Sequence, residues 1–260
     1  MKRRSWDVIT GVCGIVLVLA WIGPASAQSA EVKEKSPMYT YLGIWNIPRA
    51  QWGEMEKSYA SGRAILDKAM ASGTLVGYGN DLILVHQPDG PTHDEWWSGM
   101  SMAALLNVLD QFYKSGSATS SVLASATKHW DSIFVSHYYN WRSGTWKDGY
   151  TRGAYFKLKP TAPDDALEMI SKTMLVPLME KLLADGSIYE YEIDTEVIHT
   201  EAPGAFWLFY QSPNAEGIDK INAAIRSALK SSALGGVGFD AMVDLSAHRD
   251  LLLRTNATYK

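Results

Sequence analysis

The chain has 260 residues, is 47% hydrophobic and 20% charged, and carries a formal charge of −4, which suits one large or two small globular domains with a sizeable core. The acidic balance, with no basic stripe among the aromatics, argues against nucleic acid as a partner. The single cysteine, Cys13, falls in a segment read below as removable, so disulfides, cysteine-bound zinc and thiol nucleophiles are not expected.

Lys2, Arg3 and Arg4 open the chain, Val8 to Ile22 is apolar, and Pro24-Ala25-Ser26-Ala27 supplies small residues for cleavage. Residues 1–27 therefore read as a signal peptide, with Gln28 the first mature residue and a periplasmic or secreted destination. The apolar run is short for a membrane span, and no later run is long enough to be one, so no membrane association is expected after cleavage. The Arg3-Arg4 pair leaves the export route, Sec or twin-arginine, open.

Residues 28–37 are polar and read as a flexible leader. Met38 to Ile47 reads as a strand stopped by Pro48, and Gln51 to Ala71 as a helix stopped at Gly73. Thr74 to Gln87 is a long strand, residues 88–94 a turn-rich loop, and Trp96 to Ser101 a short strand. Met102 to Tyr113 is a helix, Ser115 to Ser125 a loop and Asp131 to Tyr139 a strand. A connector over 140–152 follows. The pattern then recurs: a strand at Ala154 to Leu158, a helix at Asp164 to Leu183 that Pro177 kinks or divides, and a long strand at Ser187 to His199. A hairpin loop spans 200–204. A helix at Ala215 to Lys230, a Gly-rich loop at Leu234 to Phe239 and a last strand at His248 to Thr255 complete it, with 257–260 as a tail.

The recurrence is visible in the residues. At one offset, Lys68/Lys181, Ala71/Ala184, Gly73/Gly186, Tyr78/Tyr191, Asp81/Asp194 and His86/His199 are identical. Reading the second hairpin loop as two residues shorter matches Trp96 with Trp207, and His129-Trp130-Asp131 aligns with His248-Arg249-Asp250. Each half, 38–139 and 153–256, is thus a β-α-β-β-α-β unit, which folds as a four-stranded antiparallel sheet with two helices on one face. The bare sheet face must be covered, and two copies can cover each other. The fold class is α+β, two tandem ferredoxin-like units packed sheet to sheet.

This tandem arrangement resembles the dimeric α/β-barrel superfamily, which includes antibiotic-biosynthesis-monooxygenase, EthD-like, NIPSNAP-like and chlorite-dismutase-like groups. The resemblance covers residues 38 to 256 and rests on topology and internal repeat, with no signature motif. The segments PRAQW (48–52), HQPDGPTHDEWW (86–97), EYEIDTEVIHTEAPG (190–204) and AHRD (247–250) are similar to a secreted bacterial family, a likeness that brings no activity with it.

Strand alternation puts Glu190, Glu192, Asp194 and Glu196 on one face of the long second strand, toward the barrel interior, and Tyr189, Tyr191, Ile193, Val197 and His199 under the helices. Four carboxylates in a row repel unless paired, and Arg142, Arg152, Arg249 and Arg254 are the available partners. The row is either a solvated or salt-bridged sheet face or, with Asp81, Arg249, Trp96 and Trp207, an acidic pocket for a cation, metal or polar ligand. His129/Asp131 and His248/Asp250 are either strand-entry hydrogen bonds or an acid-base pair; His248, Asp250 and His199 are the catalytic candidates. His86, His93, Asp89 and Asp94 fit no metal signature, and no metal site is expected. Gly235-Gly236-Val237-Gly238 is neither a P-loop nor a dinucleotide loop. Two functions stand open. One is a binding protein holding a small organic molecule between its sheets. The other, implied by the resemblance, is a monooxygenase-like enzyme, cofactor-free or using haem or metal. The cofactor is unassigned, and a homo-oligomer is compatible with exposed sheet edges.

Overall fold

The computed structural model describes residues 33–85, 89–198, 203–231 and 238–260. The signal-peptide reading, His86, His199 and most of the Gly-rich loop lie outside the described residues. None of the described helices is long and apolar enough to cross a membrane.

Eight strands close a single barrel: β1 (Met38–Asn46), β2 (Gly77–Val85), β3 (His93–Gly99), β4 (Lys128–Trp141), β5 (Thr145–Lys157), β6 (Glu190–Glu196), β7 (Ala205–Ser212) and β8 (Arg249–Tyr259). Their order around the barrel is β1-β3-β2-β8-β5-β7-β6-β4, antiparallel throughout. Read from β4, the first four strands run 4-1-3-2 and the second four run 8-5-7-6. These are two ferredoxin-like sheets joined at two seams, β2 with β8 and β6 with β4. The duplicated sheets thus cover each other by closing their edges as well as facing, which leaves no unpaired edge strand. Both seams carry a β-bulge, at Ser136/Tyr138 in β4 and at Asn80/Asp81 between β2 and β8, where a strand must bend to change sheets.

Helices line the outside. In the first half they are α1 (Trp52–Ala71), α2 (Met102–Ser115) and the short α3 (Ser121–Ala124). In the second, α4 (Ala166–Ile170), a π-helical turn over Ser171–Leu175 and α5 (Val176–Ala184) make one interrupted helix, followed by α6 (Ala215–Lys230) and the short α7 (Phe239–Met242). The interruption sits just ahead of Pro177, whose missing N–H and ring displace the preceding turn. α1 and α5 each end one residue before a glycine in the left-handed region, Gly73 (φ 72°) and Gly186 (φ 80°). That conformation favours the one residue without a Cβ, which is why these glycines recur in both halves. The recurrent tyrosine has an equally plain cause. The Tyr78 hydroxyl donates to Asp67 in α1 at 2.5 Å, and the Tyr191 hydroxyl to Glu180 in α5 at 2.6 Å.

Three boundaries differ from the sequence reading. The connector over 140–152 is mostly strand, because β4 and β5 extend to a short turn after Trp141. Its alternating aromatics are the sheet signal that the Gly and Lys content obscured. The tail is strand to Tyr259, and Lys260 is buried. The second hairpin is not shortened. Asp81 pairs with Asp94 and Asp194 with Trp207 at equal sequence separation, so Trp207 stands where Asp94 does, and Phe209 is the counterpart of Trp96.

Candidate functional site

Two kinds of cavity exist, one inside the barrel and one between each sheet and its helices. In the barrel, the β6 acids face inward as alternation predicts. Glu190, Glu192, Asp194 and Glu196 are all buried. Glu190, Glu192 and Asp194 join Asp81, Asp94 and Trp96 around a cavity of about 50 Å³, room for a few waters rather than an organic molecule. Leu42, Trp96, Phe134 and Phe209 line the same cavity and pack with Ile44 and Trp207.

The acids are paired by none of the four arginines. Arg152 and Arg254 lie on the outer face and bind Asp250 and Asp148. Arg249 is exposed and sits 5.1 Å over the Tyr155 ring. The partner is Lys260. Its ammonium, with no solvent exposure, contacts Glu190 and lies 3.2 Å from Glu192 Oε1. It also stands 4.9 Å from both the Trp96 and Trp141 ring centroids. Burial works against the Lys260 charge, but Glu190 and Glu192 outweigh it and hold its pKa above the ordinary value. Burial pushes Asp81 up to about 6, opposed by hydrogen bonds from Thr151 and Trp96 among others. Burial also drives Asp94, Glu190 and Asp194 well above the carboxylate range, with Lys260 opposing the rise at Glu190 and Asp194. Both Asp194 oxygens lack a protein partner.

On the outer face of the second sheet, under α5, α6 and α7, lies a cavity of about 450 Å³. Phe156, Met174, Leu175, Leu208, Ile225 and Phe239 give it apolar walls. Arg152, Tyr210 and His248 are its polar residues on the sheet side. Arg152 is held by a fork to Asp250 (3.1 and 2.7 Å) and by Asn222 Oδ1 at 2.5 Å. The Tyr210 hydroxyl is buried beside the Arg152 guanidinium; burial raises its pKa to about 12, and Arg152 opposes the rise.

The His-Asp pairs occupy equivalent places. His248 Nδ1 donates to the Tyr155 carbonyl at 2.8 Å, its Nε2 is 3.4 Å from Asp250 Oδ2, and its ring stacks on Phe156. His129 Nδ1 donates to the Ile44 carbonyl at 3.0 Å, its Nε2 is 3.4 Å from Asp131 Oδ1, and its ring stacks on Trp45. In both halves the imidazole ties the entry of the fourth strand to the first strand. The strand-entry hydrogen bond and the His–Asp pair thus occur together in both halves, and a geometry kept at both ends of a duplication belongs to the fold.

No family model and no curated protein matches the sequence. Solved structures do. A proposed monooxygenase of Fusobacterium nucleatum superimposes with a TM-score of 0.63 at 9% identity, covering 87% of this chain and 95% of that one. One of Lactobacillus acidophilus gives 0.61 at 11% identity over 87% and 97%. An anthrone oxidase-like protein gives 0.51 at 11% over 87% and 94%. The chain shares their fold, a closed α/β barrel, here made from two repeats of one polypeptide. Identities this low establish the fold and carry no chemistry across.

Within this α/β barrel, the residues do not fit haem or a metal. Both nitrogens of His248 are directed at protein acceptors, Tyr155 and Asp250. Among the described residues no group of three or more His, Cys, Asp or Glu side chains can hold a metal ion. His93 is a buried core imidazole bonded to Thr92, and burial lowers its pKa to about 4. The expected ligand set divides: Asp81, Trp96, Glu190, Glu192 and Asp194 line the lumen cavity, Glu196 and Trp207 are elsewhere in the barrel, and Arg249 is at the surface. Lys260, Tyr210 and Glu95 were not singled out. For Lys260 a signal existed, since the β-branched and aromatic run Thr255 to Tyr259 continues the last strand.

Proposed function

We propose that the protein binds a small organic molecule with an apolar body and one hydrogen-bond acceptor in the sheet–helix cavity of the second repeat. The observation that carries this reading is an apolar cavity of about 450 Å³ with two polar groups side by side at its sheet floor, the buried Tyr210 hydroxyl and the Arg152 guanidinium. A ligand acceptor placed against them gains a hydrogen bond in a site with little water, worth about 1–3 kcal/mol where one donor is charged. The volume falls in the range of small-molecule sites, whereas the space between the sheets does not. The signal-peptide pattern supports a location outside the cytoplasm, and the intact mass of protein recovered from the periplasm or medium, beginning at Gln28, tests that part.

The test of binding is thermal denaturation with a panel of aromatic and short-chain ketones and carboxylates. A member at one hundred times its Kd stabilises the fold by about 2.7 kcal/mol. Tyr210→Phe should weaken such a ligand about ten-fold, and Leu208→Trp, which fills the cavity, should abolish its effect. A panel hit that Leu208→Trp leaves intact, or a panel with no hit at all, overturns the assignment.

A further inference from the structure

The duplication makes the two sheet–helix cavities comparable position by position, and they differ in charge. The first repeat's cavity, about 350 Å³, lies between the outer face of β1 and β3 and the helices α1 to α3. Ile44 and Tyr155 are equivalent, because each accepts the strand-entry histidine. Counting along the ladders from them, Tyr41 replaces Arg152, and Glu95 replaces Leu208. The first cavity therefore loses the guanidinium and gains a carboxyl in its floor. No lysine or arginine is among the residues that line it. Its walls are aromatic: Tyr41, Trp45, Tyr59, Trp97, Phe112 and Tyr113.

We infer that the first repeat's cavity is a site for an organic ammonium cation, with Glu95 as its counter-charge and the tyrosine and tryptophan rings as its walls. An ammonium group is attracted to the π-faces of such rings, the more so where water is excluded, and aromatic cages are how quaternary ammonium ligands are recognised. A carboxylate at the floor adds a directed charge that an uncharged ligand of the same shape cannot use. The Tyr41 hydroxyl is already committed to Asp131 at 2.5 Å and that of Tyr59 to the Asp94 carbonyl at 2.7 Å, and Glu95 is the one carboxyl among the residues that line the space. Burial pushes the Glu95 carboxyl up to about 8, so a cation docking against it displaces a proton, and binding tightens as pH rises. The other titratable groups lining the cavity are Tyr41, Tyr59, Tyr113 and His129, with Asp131 beside His129 and Asp94 on the reverse face of β3. Of these His129 is pushed up mainly by its bond to Asp131, and its loss of charge with rising pH works in the same direction. This site is independent of the second repeat's cavity.

The experiment is a calorimetric and tryptophan-fluorescence titration of the full mature chain with choline chloride, against its uncharged isostere 3,3-dimethyl-1-butanol and against sodium chloride. Choline should bind with at least ten-fold preference over the isostere, and more tightly at pH 8.5 than at pH 6.5. Glu95→Gln should weaken choline at least ten-fold and remove the pH dependence. Tyr113→Ala, at an exposed position of the rim that folding does not depend on, should weaken it about three-fold. Leu208→Trp, in the other cavity, should leave choline binding unchanged. Equal binding of the isostere, no binding of choline, or a Tyr113→Ala and Glu95→Gln pair that both bind like wild type would overturn the assignment.

Discussion

Lys260 shows what a single buried charge does in this barrel. It is the one ammonium against five carboxyls around the lumen cavity, stacked between Trp96 and Trp141 and bonded to Glu190 and Glu192. Removing one partner of a buried ion pair leaves the other charge uncompensated, at a cost of about 3–5 kcal/mol. Lys260→Met should therefore lower the unfolding free energy by that amount, read as a lower urea midpoint at an unchanged m-value, and Lys260→Arg should recover less than half, since a planar fork does not fit a slot cut for an ammonium. A loss below 1 kcal/mol would mean that Glu190 and Glu192 take up protons and need no partner. This residue was also the least legible in the sequence. The inward facing of Glu190, Glu192, Asp194 and Glu196 could be read from alternation alone, but pairing across a barrel depends on which strands meet at the seam. The four arginines read as partners are elsewhere: Arg152 and Arg254 bind Asp250 and Asp148 on the outer face, and Arg142 and Arg249 are exposed.

At the scale of elements, the repeat in the sequence was legible because its identical residues do identical work. Gly73 and Gly186 end helices in the left-handed region, and Tyr78 and Tyr191 fasten those helices to the strands that follow. Element order and the two-unit architecture followed from these marks. Register did not, because a tryptophan match suggested a shortened hairpin where the ladders show equal spacing. Nor did the length of β4 and β5, because their extensions past Tyr139 and before Gly153 carry mixed, half-polar faces. The tyrosine fasteners lend themselves to measurement. Each is a buried phenol donating to a carboxylate, a charge-assisted bond worth about 1.5–3 kcal/mol. Tyr78→Phe and Tyr191→Phe should each destabilise by that amount. The two sites are on opposite halves and share no partner, so the double variant should show the sum within about 0.5 kcal/mol. If the halves instead unfold separately, two transitions would replace one, and closure of the barrel at both seams would not be the source of its cooperativity.

For the whole molecule, the acid-rich interior sets how stability responds to pH. A carboxyl whose pKa is raised on folding is protonated in the folded chain where the unfolded chain has already released its proton. Stability from it is present below the ordinary carboxylate pKa and is lost as pH climbs through the folded value. Asp81, at about 6, acts this way between roughly pH 4 and 6. His93 opposes it over nearly the same interval: held neutral by burial to about 4, it costs stability as pH falls below 6.5, so the two slopes largely cancel. Above pH 6.5 nothing offsets the rest. Glu95, pushed up to about 8, still gives its proton up there, and Asp94, Glu190 and Asp194 lie well above their ordinary range. Each such proton changes stability by about 1.4 kcal/mol per pH unit. Glu95 alone, discounted for its partial contact with solvent, accounts for about 1–2 kcal/mol between pH 6.5 and 8.5. For a chain of this size each kcal/mol moves the midpoint by about 2–4 °C. The same four acids already lower stability between pH 5 and 6.5, where only Asp81 is offset by His93, so calorimetric scans should show a midpoint that falls from about pH 5 onward and by several degrees between pH 6.5 and 8.5, shallower in Glu95→Gln and shallower still with Asp194→Asn added. A midpoint that is flat or rising from pH 6.5 to 8.5 would mean that the lumen acids are ionised and hydrated in the folded protein, and that water rather than protons keeps them apart.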